Sequence, residues 1–181
     1  MSHSISTRLN SLARAALLAA ATLAAGAALA GHLNTLLTAD LDGRQEVNTG
    51  SSNALVGDPR GRGEVYVFGI DESRTVLCYH LQVSRIDELE LAPGNGRAAH
   101  IHRGKRGENG PVVANLAWPQ DGQAADCLNA VTQPARFGGV DAATAQALIA
   151  DILANPGDYY INVHNTAHPG GAVRGQLRPA P

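Results

Sequence analysis

Seven histidines are spread along the 181-residue chain, and three of them fall in patterns that can hold a metal. Two lie in Ala99-His100-Ile101-His102-Arg103-Gly104. His100 and His102 take alternate positions of a strand-like run, so they point to the same face, close enough to share a ligand. The third, His164, closes a second run, Tyr160-Ile161-Asn162-Val163-His164-Asn165. Neutral imidazole is the commonest biological metal ligand, and three ring nitrogens from two strands suit Cu(II) or Zn(II). Copper or zinc is therefore the cofactor this set would take. Arg174 would then attract an anion, with Arg97, Arg103, Lys105 and Arg106 steering it.

The same residues admit a bland reading. Polar side chains at strand ends can hydrogen-bond loop backbone, and Asn162, Asn109 and Arg174 could complete a polar network closing one end of the fold. The basic group is then a solvated loop. The two readings differ in geometry. A metal site requires three rings converging at about 2 Å from one ion, with outer hydrogen bonds fixing their tautomers. A structural cluster requires each ring nitrogen to find a protein partner. His80, inside an alternating strand, reads as a sheet residue, and His168, beside Pro169, as a turn residue. Either is a candidate for a fourth position. His32 adjoins the leader described below. No nucleophile elbow, phosphate loop or dinucleotide fingerprint is present. Acid pairs such as Asp87-Glu88 read as solvated, and nothing supports hydrolysis.

The elements that must position these residues are mostly strands. Leu36–Leu41, Glu64–Ile70, Thr75–Val83, Ala98–His102, Pro111–Leu116, Tyr159–His164 and Ala172–Leu177 are β-rich. In Thr75–Val83, Leu77, Tyr79, Leu81 and Val83 form one face, and Val76, Cys78, His80 and Gln82 the other. Gly- and Pro-rich loops are predicted over 48–63, 91–97 and 104–111, and a turn over 71–73. Trp118–Cys127 reads as irregular. Asp141–Ala154 is the one clear helix, capped by Asp141 and stopped by Asn155-Pro156-Gly157. Two hairpins are expected, 64–83 and 159–177. Many short strands with one helix predict a mainly β fold, a β-sandwich.

Residues 1–30 read as a secretory signal peptide: Arg8 and Arg14, an uncharged run from Ala15 to Ala27, then Ala28-Leu29-Ala30 before Gly31. The apolar run is short for a membrane span. Removing the leader with its two arginines takes the formal net charge from −2 to −4. That charge gives no support to nucleic-acid or membrane binding. Residues 31–181 suffice for one domain with a core. The chain is expected to be exported, to the periplasm or the exterior. Cys78 and Cys127 are the only cysteines. In an oxidising compartment they most simply form a disulfide, with a pair of thiolate metal ligands as the alternative.

In order along the chain, these landmarks resemble the CHRD (chordin-type) domain. The resemblance rests on Leu36-Leu37-Thr38-Ala39-Asp40-Leu41-Asp42-Gly43-Arg44-Gln45-Glu46-Val47, on the His100/His102 motif with Gly107, Asn109, Gly110 and Pro111, and on Tyr159–His164 with Gly170, Gly171, Arg174 and Gly175. It implies an immunoglobulin-like antiparallel β-sandwich. It also implies a cysteine pair placed like Cys78 and Cys127 in bacterial members, supporting the disulfide. Most bacterial members have no assigned activity. In chordin the domains belong to an extracellular growth-factor antagonist, a role not carried over here. A weaker similarity, to the copper/zinc superoxide dismutase sandwich, maps His100, His102, His164 and Arg174 onto a copper site. The histidine bridging copper and zinc has no counterpart between Gly104 and Pro111, the zinc loop is missing, and the cysteines are placed differently. The resulting expectation is a non-enzymatic binding or structural module whose loop end, with His100, His102, Arg103, His164 and Arg174, meets an envelope or protein partner. The alternative is a copper or zinc protein, with superoxide- or peroxide-directed chemistry as its furthest extension.

Overall fold

Period-two hydrophobicity builds most of the architecture. The structure, a computed structural model, describes residues 35–48, 50, 55–69, 74–86 and 98–181. The leader, His32, Ile70, the turn at 71–73, Asp87-Glu88, the loop at 91–97 with Arg97, and part of the loop at 48–63 lie outside the described residues. Among the described residues, nine strands form one curled antiparallel sheet, and the fold is mainly β with one α-helix. No described helix is long and apolar enough to cross a membrane.

Strands β1 (Leu36–Asp42), β2 (Arg62–Gly69) and β3 (Val76–Ser84) pair in sequence order. Their alternation buries Leu37, Ala39 and Leu41, then Val65 and Val67, then Leu77, Tyr79, Leu81 and Val83. The face expected for β3 and the β2–β3 hairpin are as the sequence indicates. Strands β4 (Ala99–Arg103) and β5 (Val112–Asn115) follow, then β6 (Gln123–Asn129), β7 (Tyr159–Val163), β8 (Val173–Gln176) and the short β9 (Arg178–Pro179). The sheet order is β5-β4-β7-β8-β1-β2-β3-β6, with β9 pairing β1. The curl turns both halves of the sheet onto one core, which includes Ala99, Ile101, Ile161, Val163 and Val173 from the β4-β7-β8 half. That is the sandwich arrangement.

Two expectations need correction. The stretch 118–127 is not irregular throughout, since Gln123–Asn129 is strand β6, paired with β3 from Val76↔Asn129 to Gln82↔Gln123. Its buried residues are only Ala124 and Leu128, with Asp126 between them on the same face, a pattern that does not register as hydrophobic alternation. The thiolate alternative also fails. Cys78 and Cys127 face each other in that β3–β6 register and form a disulfide. The helix α1 (Ala142–Ala154) begins where its cap predicts. Asp141 Oδ1 accepts from Thr144 N at 2.9 Å, and Ala145, Ile149 and Ile152 bury one stripe on the core.

Candidate metal centre

Strands β4 and β7 are direct neighbours, with His100 opposite Asn162 and His102 opposite Tyr160. Their even-numbered side chains therefore share the face turned away from the apolar core, while Ala99, Ile101, Ile161 and Val163 fill it. His164 stands one residue past β7, and its N–H donates to Ala98 O at 2.7 Å, holding it against the start of β4. A bulge on β5 opposite Ile101 and His102 shifts the register so that His102 pairs with Val112. The three rings come together: His100 and His164 have centroids 5.1 Å apart, His100 and His102 5.7 Å, and His102 and His164 6.3 Å. One ring nitrogen from each lies within 4.8 Å of the others.

The cluster faces away from the core yet is buried. His100 is 2 %, His102 9 % and His164 8 % exposed. The loop 104–111 and the turn 165–171 supply its outer hydrogen bonds. His102 Nδ1 lies 2.9 Å from Gly110 O, and His164 Nδ1 lies 3.0 Å from Pro169 O. A carbonyl only accepts, so each Nδ1 carries the hydrogen, and each Nε2 of the neutral ring keeps its lone pair. Both Nε2 atoms are buried and find no hydrogen-bond partner among the described residues. Burial holds the His102 imidazole down to about 4, against the pull of Gly110 O, and His164 and Arg174 lower it further. Burial also lowers His164. Both rings are neutral at pH 7, the form that binds metal.

Gly110 is fixed by sterics. A Cβ there would sit 1.6 Å from Arg103 O. Its N–H donates to Tyr160 Oη at 3.2 Å while its carbonyl holds His102. Tyr160 is sandwiched, with His102 stacked on one side at 4.8 Å and the Arg174 guanidinium 3.4 Å from its ring centre. Arg174, only 2 % exposed, donates to Asn109 Oδ1 and to the carbonyls of Lys105 and Glu108. Of the network expected of Asn109, Asn162 and Arg174, the Arg174–Asn109 bond is made and, with the two carbonyl contacts, ties the loop 104–111 to β8; the hydrogen bond of Asn162 goes to Glu46 instead.

Other predicted residues stand elsewhere. Arg103, of opposite parity, turns to the helix side, where it pairs with Asp151 at 3.0 Å and donates to Tyr159 Oη. His80 sits in β3 between Tyr66 and Ala125, and His168 lies on the turn beside Asn165. Neither belongs to the cluster of three. Of the five residues expected at a contact surface, only Arg103 is exposed.

One residue of the resemblance's opening segment carries no expected role in the site. Glu46, just after the 3-10 turn Gly43–Gln45, reaches into the same layer and accepts from Asn162 Nδ2 at 3.4 Å. Burial pushes its carboxyl up to about 8, with Arg174 and Asn162 pulling it back. Nothing local marks Glu46 as part of the site, because its partners Asn162 and Arg174 lie more than a hundred residues away.

Residues 37–177 match the family model of the CHRD domain. No curated protein and no solved structure matches the chain.

Proposed function

The chain belongs to the CHRD domain family, and from that premise we propose that it is an exported metal-binding protein holding copper or zinc on His100, His102 and His164. One observation carries this reading. The Nε2 atoms of His102 and His164 are buried without a protein partner, while each Nδ1 is committed to a backbone carbonyl. A purely structural cluster would satisfy both nitrogens of each ring. This arrangement instead leaves lone pairs in common space and fixes the tautomers from outside, as the outer hydrogen bonds of metal-ligating histidines do. Ligation at about 2 Å in a tetrahedral set puts the nitrogens about 3.3 Å apart, so their outermost spacing of up to 4.8 Å must close by up to about 1.5 Å as the ion binds.

Three neutral nitrogens suit Cu(II) or Zn(II) over harder cations. Superoxide- or peroxide-directed chemistry has less support. Arg174 gives three of its five N–H donors to the loop 104–111 and lies buried against the Tyr160 ring, an arrangement that serves the loop rather than an incoming anion. The reading is therefore of a site that holds an ion, reachable by small ligands alone. Export is supported by the leader-like residues 1–30 and by the Cys78–Cys127 disulfide, a bond at home in oxidising compartments.

The test is metal titration of the tag-free protein. Wild type is expected to take up one equivalent of Cu(II) or Zn(II), and His102→Ala and His164→Ala to lose it while staying folded. A wild type that retains no ion after gel filtration would end the proposal.

A further inference from the structure

The candidate metal centre lacks negative charge. Three imidazoles bring none to a divalent cation, and Arg174 adds a positive charge in the same layer. Glu46 is the carboxylate that the fold carries there. Its Oε2 accepts from Asn162 Nδ2. Asn162 lies opposite His100 across β4 and β7, two residues before His164 on the same face. Glu46 Oε1 and Asn162 Oδ1 are both buried, and neither finds a hydrogen-bond donor among the described residues. The backbone is cleared for this carboxyl. Gly171, at φ +138°, would place a Cβ 2.5 Å from Glu46 Oε1, and it lies two residues past the Pro169 carbonyl that holds His164.

Among the described residues of the layer, the Nε2 atoms of His102 and His164 and the two oxygens of Glu46 and Asn162 are thus acceptors without donors. The nitrogens belong to the converging set, and the oxygens stand outside it. A cation satisfies the nitrogens directly. The oxygens need hydrogen-bond donors, and a water on the ion's fourth position carries two. We propose that Glu46 and Asn162 are the outer partners of that fourth position, where they accept hydrogen bonds from a water or another small protic ligand. This rests on the metal reading above. It makes Glu46 a positioning residue that favours protic ligands and opposes anions without a proton to donate.

Azide bound to the Cu(II)-loaded protein tests this. Its charge-transfer band reports occupancy of the fourth position without any activity assay. Wild type should bind azide weakly. Glu46→Gln should still take up one equivalent of copper at saturation and bind azide about tenfold tighter or more: the field of the bound divalent cation ionises the Glu46 carboxyl, which is largely protonated in the metal-free protein, and the variant removes that charge. Asn162→Asp should weaken azide further, and it provides a second arm if Glu46→Gln does not fold. Unchanged azide affinity in the folded variants would overturn the proposal. So would loss of copper from folded Glu46→Gln, which would make Glu46 a ligand. A wild type that binds no copper fails earlier, at the metal reading itself, so the two failures are distinguishable.

Discussion

At the scale of single residues, the cluster makes opposing demands on pH. His102 and His164 are held below the ordinary imidazole range by burial. His102 is faced by His100, His164, Tyr160 and Arg174, and none of these is a carboxylate that would favour its charged form. In the metal-free protein, the folded state therefore binds fewer protons on this ring than the unfolded chain does. Its contribution to stability is present above about 6.5 and is lost as pH falls toward 4. Glu46, faced by Arg174 and Asn162, has the opposite sign. Its pKa rises from 4.5 to about 8, so its contribution is present below 4.5 and is lost as pH rises through 8. The slope cannot exceed about 1.4 kcal/mol per pH unit for one proton. Glu46→Gln should remove the alkaline loss, so its melting temperature relative to wild type should be higher at pH 8 than at pH 5. Thermal unfolding of both proteins, metal-free, at those two pH values checks this. An equal offset at both would place Glu46 outside the buried layer.

At the scale of elements, the loop between β4 and β5 acts as a brace. Its Gly110 carbonyl orients His102, and its Lys105, Glu108 and Asn109 hold Arg174 against Tyr160. Gly110→Ala drives a methyl group into Arg103 O, so the loop must shift and the brace loosens. The expected cost is about 2–4 kcal/mol in stability and roughly 10–100-fold in metal affinity through the lost outer contact. Arg106→Ala, an exposed change in the same loop, should move neither by much. Denaturant unfolding with metal titration of both variants decides the matter, and equal behaviour would show that the loop does not orient His102. Elements of this kind differ in how legible they are from sequence. The alternation of Leu77, Tyr79, Leu81 and Val83 announces β3, and Asp141 announces the start of α1. The parity of His100 and His102 is local, so their shared face is legible too. The convergence of His164 depends on β4 lying beside β7, a long-range pairing that no local pattern encodes. Strand β6 escapes because alanine and aspartate carry little strand signal, and its place is set by β3 and the disulfide. Glu46 escapes for the same reason as His164: its role exists only once β1, β7 and β8 are neighbours.

At the scale of the molecule, two cross-links are placed at a distance from one another along the sheet. The disulfide ties β6 to β3 at one end of the strand order, and the candidate metal centre ties β4 to the end of β7 toward the other. Cys78 and Cys127 are 49 residues apart in sequence, and closing a loop of that length stabilises a small domain by about 2–4 kcal/mol. A bound ion stabilises by mass action, about 3 kcal/mol at a hundredfold excess over Kd. No described side chain is shared between the two sites, and β8, β1 and β2 separate them in the sheet, so their effects should add. The Cys78→Ser/Cys127→Ser double variant should therefore melt well below wild type yet bind metal with unchanged stoichiometry and affinity. The rise in melting temperature on adding metal should survive in it, and should vanish in His164→Ala with its disulfide intact. Calorimetry of the four combinations, disulfide present or absent and metal present or absent, reads this directly. If the double variant lost its metal while still folded, the two ends of the sheet would be coupled through the shared core, and the histidine layer would depend on the whole sandwich rather than on the loops that cover it.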